Sequence, residues 1–440
     1  MHVLMLCALE VWALPDRGGA PTLYRTLRAY GRRGHRVTFV APTIGANRLA
    51  PPSGLRDPWP APDIPGVSFE RFHLPSLQES RFPLPRLLAA ADQKARFALL
   101  FPWLCARRAR EVLRREPVDV LYAYEVHGAL AARRLSLPRP IPTVARFQGT
   151  VLYPSLSSRL ARLRKFEEIS ALRLPADLYV MTDDGTRGDE VLRRLNPAAA
   201  SKLRFWRNGL DMDRLRPASA HERNDLRRAL ELPAEDVVLL TASRLAGWKR
   251  VDRALAALPR VLRANANVRL VVLGDGEERP ALERQARALG LGDRVRFTGA
   301  VRQEDVVRYM QAADILLALA DLSNVGNPLL EAMACGLAIV AVDAGATGDL
   351  IRDGDTGRLL PSGTDEVIAA AAAAAVIALA TDRAERGRLG ASARAHALEH
   401  FWTWDARLEA ELEEVERLAG EAAAGTTPTS DAVRTPRRGG

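Results

Sequence analysis

Residues 321 to 336 read DLSNVGNPLLEAMACG, and the reading of this stretch decides the fold. The apolar runs on either side, Asp314 to Leu319 and Leu337 to Val342, read as buried strands, which leaves a loop and one short helix between them. Asn327 is a good N-cap, Pro328 suits the first helical position because an N–H there would have no partner, and Gly336 suits the end. The helix is therefore expected to start at Pro328. Its N–H groups and dipole would lie at the carboxyl edge of a parallel sheet, where anions bind in such folds. Glu331 lies one turn in, where a carboxylate can accept two hydrogen bonds from a ribose diol. Acids also gather in first turns simply because the dipole favours them.

Upstream, the same alternation recurs: VVLLTAS (237 to 243), a helix from about 250, VRLVVLGDGEE (268 to 278), a helix to Gly290, VRFTG (295 to 299) and a helix from 303. Strands alternating with helices imply a parallel α/β sheet. Ser243, Arg244 and Leu245 are followed by Trp248, Lys249 and Arg250, which puts two cations, Arg244 and Lys249, at the sheet edge that carries the Pro328 helix. One cation about 4 Å from a diphosphate, at an effective dielectric near 20, contributes on the order of 4 kcal/mol. Two would stand in for a metal ion as a leaving group gathers charge. Gly274, Asp275 and Gly276 form a tight turn whose backbone can approach a ligand.

The first half opens a second such sheet. Residues 2 to 8 read as a strand, Gly18 and Gly19 as a loop whose bare backbone can approach a ligand, and 35 to 41 as the next strand. That loop lacks GxGxxG spacing, and Ala41 and Pro42 stand where a dinucleotide fold would place an acid. Thr43 to Gly66 reads as a long loop. Val118 to Ala123, Pro142 to Phe147 and Leu178 to Met181 read as strands that end in polar loops, YEVHG, QGT and TDDGT, marking a ligand edge. Between them, helices over 85 to 115 and 155 to 174 mix aromatic and aliphatic residues with many arginines, and so fit an anionic membrane face as well as a solvated one. Asp211 to Glu235 reads as the interdomain connection.

A chain of 440 residues exceeds one ordinary core, so two domains are expected. A formal charge of +10 favours anionic partners. Nucleic acid is not among them, because zinc spacings, RNP-like strands and helix-turn-helix signals are all missing. Three scattered cysteines, Cys7, Cys105 and Cys335, read as reduced thiols of a cytosolic protein. The opening MHVLMLCALEVW lacks a signal peptide's basic start, and no apolar run approaches the roughly 20 residues of a membrane span. Residues from Ala419 are small and polar and read as a disordered tail.

Taken in order, GG at 18 and 19, RNGLDMDRLRP (207 to 217), SRLAGWKRVD (243 to 252), VVLGDGEE (271 to 278), PLLEAMACGLAIVAVDAG (328 to 345) and DGDTGRLLP (353 to 361) carry a resemblance. The chain resembles the retaining, nucleotide-sugar-dependent glycosyltransferases of family four, with the α/β GT-B architecture of two facing Rossmann-like domains. The resemblance implies an acceptor-binding domain over 1 to 206, a nucleotide-sugar domain over 207 to 400, a helix over 401 to 420 crossing back to the first domain, and a tail over 421 to 440. It implies that Arg244 and Lys249 hold the donor diphosphate, that Glu331 meets the ribose, and that Gly18 and Gly19 lie near the phosphates. Asn208, Gly274, Asp275, Gly276, Val301, Ser323, Asn324, Val325, Gly326, Asn327, Pro328 and Leu329 would complete the donor side. Tyr124, Glu125, His127 and Gln148 would face the sugar or acceptor. The co-substrate would be a UDP- or GDP-sugar, with no metal or other cofactor. The acceptor would be a saccharide or lipid-linked saccharide, at the cytoplasmic, inner face of a membrane.

Departures from the family pattern concern the sugar side. A glutamate usually stands eight residues before Glu331; here it is Ser323, with Asp321 nearby as a substitute. The first-domain histidine is Tyr124 in direct register, His127 being three residues on, and the histidine before Gly149 is Gln148. These changes fit either an altered donor sugar or a non-catalytic binder of nucleotide or glycan. A sugar-nucleotide epimerase is a weaker alternative, since its acid and base carboxylates are not evident near Gln148 and Thr150.

Overall fold

The structure is a computed structural model and describes residues 1–9, 21–43, 62–75, 86–137 and 140–425. It divides into two compact units, one of residues 1–182, 188–206 and 408 onward, the other of 183–187 and 207–407.

The first unit is built on seven parallel strands: β1 (His2–Leu6), β2 (Arg36–Thr43), β3 (Val67–His73), β4 (Val120–Tyr124), β5 (Thr143–Phe147), β6 (Leu178–Thr182) and β7 (Leu203–Trp206), in the order β3-β2-β1-β4-β5-β6-β7. The second has six: β8 (Val237–Ala242), β9 (Val268–Leu273), β10 (Val295–Gly299), β11 (Ile315–Ala318), β12 (Ala338–Val342) and β13 (Arg358–Leu360), in the order β10-β9-β8-β11-β12-β13. Every pairing in both sheets is parallel. In each, the order reverses once, between β1 and β4 and between β8 and β11. Ligands of open α/β sheets bind outside the carboxyl ends at such a reversal.

The strands read as unbroken apolar runs because both faces are covered. Val237 and Leu239 of β8 belong to one core, while Val238 and Leu240 belong to the other. The same split separates Leu4 and Leu6 from Val3 and Met5 in β1. β3 goes unread in the sequence because it is an edge strand whose polar residues, Ser68, Glu70 and Arg71, interrupt its apolar ones.

Three expectations need correction. The stretch 155 to 174 is not one helix but two, Arg159–Arg164 and Phe166–Leu172, broken at Lys165, whose φ of −106° and ψ of 24° leave the helical region. The stretch expected to connect the domains lies within the second unit and holds the helix Ala220–Ala229, started by a capping box between Ser219 and Glu222. The last helix, Trp404–Ala423, runs past both its expected end and the start of the expected tail; residues 426–440 lie outside the described ones.

From Leu408 that helix belongs to the first unit, where Leu412, Val415 and Leu418 pack with Val3, Met5 and Tyr122. A buried polar network fixes its register. Tyr122 donates to the Glu411 carboxylate, and the same carboxylate lies 3.7 Å from the guanidinium of Arg146 on β5. Arg146 also donates to the Phe147 carbonyl at 2.6 Å and to Thr182 Oγ1 at 3.0 Å. A buried arginine is tolerated only when so engaged, and deleting one partner leaves a charge in apolar surroundings.

Candidate functional site

The reversal in the second sheet carries a small cleft, lined by Thr241, Ala242 and Ser243 at the end of β8, by Leu316 to Ala320 along and after β11, and by Lys249, Asn324, Gly326, Pro328 and Leu329. The stretch quoted first thus forms one wall. Its helix is Asn327–Ala334, and its N-cap is Gly326, which offers no side-chain cap. The expected start at Pro328 with Asn327 as cap is one residue late. Asn327 instead accepts a hydrogen bond from Asn208 Nδ2 at 3.1 Å, which occupies its capping oxygen. Pro328 offers no N–H, and those of Leu329 and Leu330 turn back to the Gly326 carbonyl at 3.0 and 3.2 Å. The dipole and the Asn327 end of the helix remain as its attraction for an anion. Glu331, one turn in, is buried.

The three cations of the 243–252 stretch have three different fates. Arg250 adopts a left-handed φ of 53° and is bound by carboxylates, 2.9 Å from Asp252, 3.3 Å from Asp321 and in contact with Asp365. Asp321 also sits 2.7 Å from Arg253, so it anchors the loop. Arg244 is exposed and 3.1 Å from Glu277; such a surface pair contributes at most about 1 kcal/mol and gives way to a stronger anion. Lys249 has no carboxylate within ion-pair distance among the described residues, and its ammonium lies over the Trp248 ring at 4.0 Å. Burial pushes its pKa down, against a weaker upward pull from Asp184. Asp184 moves the other way, up to about 6, again because of burial. Both shifts run opposite to those of a close ion pair. Lys249 is a desolvated cation with no counterion in contact, at a sheet reversal and beside a helix start.

The glycines of the GDG turn answer to packing. A Cβ on Gly274, at φ +133°, would stand 1.9 Å from the Ser243 carbonyl oxygen, and one on Gly276 would stand 2.4 Å from that of Leu245. Bare backbone there lets the segment bearing Arg244 lie against the turn, and Asp275 is spent on Arg279 at 2.9 Å and on the Gly276 N–H at 2.8 Å. Val301, after β10, packs against the core.

Ser323, Asn324 and Val325 are also committed to structure. Ser323 Oγ donates to the Asp184 carbonyl at 2.8 Å and accepts from the Val325 N–H at 3.0 Å. Asn324 accepts from the Ala320 N–H at 2.9 Å and donates to the Val342 carbonyl at 3.0 Å. Gly185 fits only without a side chain, since a Cβ would meet Ser323 Oγ at 2.3 Å. Sequence reasoning marked TDDGT only as a polar strand end; its place beside Ser323 and Lys249 depends on contacts about 140 residues apart in the chain.

In the first unit, Tyr124 ends β4 with its side chain buried, and its hydroxyl accepts from Gln148 Nε2 at 2.6 Å. Glu125, at φ +64°, begins the helix Glu125–Ala132 and accepts from the Gln148 N–H at 2.7 Å. His127 sits on that helix 3.5 Å from Glu167 and 5.2 Å, ring to ring, from Phe97. Burial lowers its pKa more than Glu167 raises it, so it is neutral near pH 7. These four residues gather at the β1/β4 reversal. Gly18 and Gly19 lie outside the described residues. Among the described residues no group of three or more His, Cys, Asp or Glu is placed to hold a metal ion.

Two family models match the chain: Glycosyltransferase Family 4 over residues 17–214 and Glycosyl transferases group 1 over residues 222–396. Together they take in most of the sequence, and the chain belongs to this glycosyltransferase family. It is 29% identical to a GDP-mannose-dependent monoacylated alpha-(1-6)-phosphatidylinositol monomannoside mannosyltransferase of Corynebacterium glutamicum, with 54% of this chain aligned to 65% of that one. It is 34% identical to a D-inositol 3-phosphate glycosyltransferase of Saccharomonospora viridis, with 56% aligned to 58%. The chain thus spans less than two thirds of the length of these two curated relatives. Among solved structures, the sucrose-phosphate synthase of Thermosynechococcus elongatus superposes with a TM-score of 0.71 at 18% identity, covering 96% of this chain and 99% of that one. Anabaena HepE with UDP-glucose superposes with a TM-score of 0.64 at 20% identity, covering 97% and 100%. The fold is therefore the GT-B type, with two Rossmann-like sheets and a helical C-terminus.

Proposed function

We propose that this chain is a retaining glycosyltransferase that moves a sugar from a nucleoside-diphosphate sugar, UDP- or GDP-linked, to the hydroxyl of a saccharide or lipid-linked acceptor. The observation that carries the reading is Lys249, a desolvated ammonium with no carboxylate in contact that lines the β8/β11 cleft beside the Asn327 helix. An anion in that cleft would meet a cation, a helix dipole and, once released from Glu277, the Arg244 guanidinium. These stabilise charge on a departing diphosphate without a metal. Glu331 is assigned to the ribose, and Asn208, Gly274, Asp275, Gly276, Val301 and the Ser323 to Leu329 segment to the donor's remaining contacts. Retention follows from same-face attack, in which the leaving phosphate oxygen takes the acceptor proton. Tyr124, Glu125, neutral His127 and Gln148 are assigned to the sugar or acceptor side, and the first unit to acceptor binding. The relatives named for GDP-mannose, phosphatidylinositol mannosides and inositol phosphate support an acceptor of that polar or lipid-linked kind. The place assigned to the enzyme is the cytoplasmic, inner face of a membrane.

A binder that does not turn over is favoured by one observation: Ser323, where the family carries a glutamate, is spent on the Asp184 carbonyl. A thermal-shift screen with UDP, GDP and their sugars, followed by assay of nucleoside diphosphate release, separates the two. UDP or GDP should raise the melting temperature, and Lys249→Ala should lower transfer about a hundredfold. Full transfer by both Lys249→Ala and Arg244→Ala would overturn the assignment, and tight binding with no release would favour the binder.

A further inference from the structure

The helix Arg159–Arg164, with sequence RLARLR, buries none of its residues. Leu160 is 59% exposed, Leu163 70% and, just beyond, Phe166 45%. A soluble helix normally turns its apolar stripe inward; this one turns it out. Around the leucines stand Arg159, Arg162, Arg164 and Lys165, and no acid interrupts residues 159–165. Among the described residues no carboxylate pairs with any of these four cations. They differ in this from the arginines of the Phe101–Arg115 helix, where Arg108 and Arg115 are held by Glu70 and Arg108 also by Glu111.

Lys94 fixes the segment to its neighbour. Its ammonium donates to the Arg164 carbonyl at 2.9 Å and lies 5.4 Å from the Phe166 ring centre. The helical run that carries Lys94 also exposes Leu99, at 58%, and Trp103, at 51%. The apolar groups are thus displayed on a braced support.

We propose that this face, centred on Leu160, Leu163 and Phe166, seats the protein on an anionic lipid surface. The inference names the membrane contact of the reading above, and rests on that reading only for its purpose, bringing a lipid-linked acceptor within reach. Charge complementarity selects the occupant. A second copy would set four cations against four, and the chain's own last residues are themselves basic, with Arg434, Arg437 and Arg438 against Asp431. An anionic bilayer offers negative headgroups for the arginines and an apolar layer just beneath them for the leucines and aromatic rings. Among the described residues no single helix is long and apolar enough to cross a membrane, so the contact is lateral.

Flotation of the full chain with vesicles of phosphatidylcholine alone, and of phosphatidylcholine with phosphatidylglycerol, tests this. Recovery with the anionic vesicles only is expected, falling as salt is raised. The double variant Leu160→Ser/Leu163→Ser should lose at least about tenfold in partitioning, with an unchanged melting temperature and an unchanged thermal shift by UDP or GDP. Equal recovery from both vesicles, recovery from neither, or undiminished binding by the double variant would overturn the proposal. So would a dimer in sedimentation that the double variant abolishes. Failed flotation with an intact nucleotide shift removes the membrane face and leaves the transferase reading standing; the reverse pattern does the opposite.

Discussion

Two short helices of this chain face opposite demands. Asn327–Ala334 has eight residues, six of them buried, and even its glutamate is covered. Arg159–Arg164 has six residues and buries none. Neither is long enough to persist alone in water, since a helix under about 12 residues is marginal there. The first is held by the two buried strands that flank it, β11 and β12, and by the core behind it. The second is held by a Ser158 cap on the Ala161 N–H and by the grip of Lys94 on its last carbonyl. Burial makes the first rigid enough to aim a dipole; exposure leaves the second free to meet something outside the chain.

The sharpest way to break this contrast is to remove the same atoms from each helix. Leu330→Ala should destabilise the protein by about 2–5 kcal/mol, because the surrounding core cannot close over the void. Urea unfolding with unchanged slope and a lowered midpoint would show it. A smaller effect concerns the loop behind the first helix. Asp184, raised by burial from 3.8 to about 6, favours the folded state fully below its unfolded pKa, and that contribution is lost as pH rises through about 6. Asp184→Asn should therefore match the parent below about pH 4 and exceed it by roughly 3 kcal/mol above about pH 7. Parallel stability curves across that range would refute the burial account. The smallest effect belongs to the other helix: Leu163→Ala should change stability by no more than about 0.5 kcal/mol. A loss near that of Leu330→Ala would mean that this leucine is covered after all.

Much of the sheet framework was legible because strands covered on both faces leave unbroken apolar runs, as in VVLLTA and AIVAV. β3 escaped because it is an edge strand with no fully buried residue, and its mixed polar sequence reads like a loop. The helix start was read one residue late because Asn327 has the right chemistry for a cap, and only the structure reveals that Asn208 has taken its oxygen. The cations show the limit most clearly. Arg244, Lys249 and Arg250 look alike in a seven-residue window, yet which of them lacks a carboxylate depends on Asp321 and Asp365, 71 and 115 residues from Arg250. Ser323 stood out only through the family pattern. Its partner, the Asp184 carbonyl, is a backbone atom that side-chain chemistry cannot announce.

The Glu411 carboxylate, which binds Tyr122 and neighbours Arg146, has a consequence for how the molecule is made. A ribosome delivers the first unit's strands early but its closing helix last, after the whole of the second unit. Until then a guanidinium destined for the interior lacks the carboxylate that comes nearest to it. Domains usually fold in the order they emerge; here the half that begins first is completed last, and nascent chains halted near residue 407 should expose that half to proteases while the other resists them.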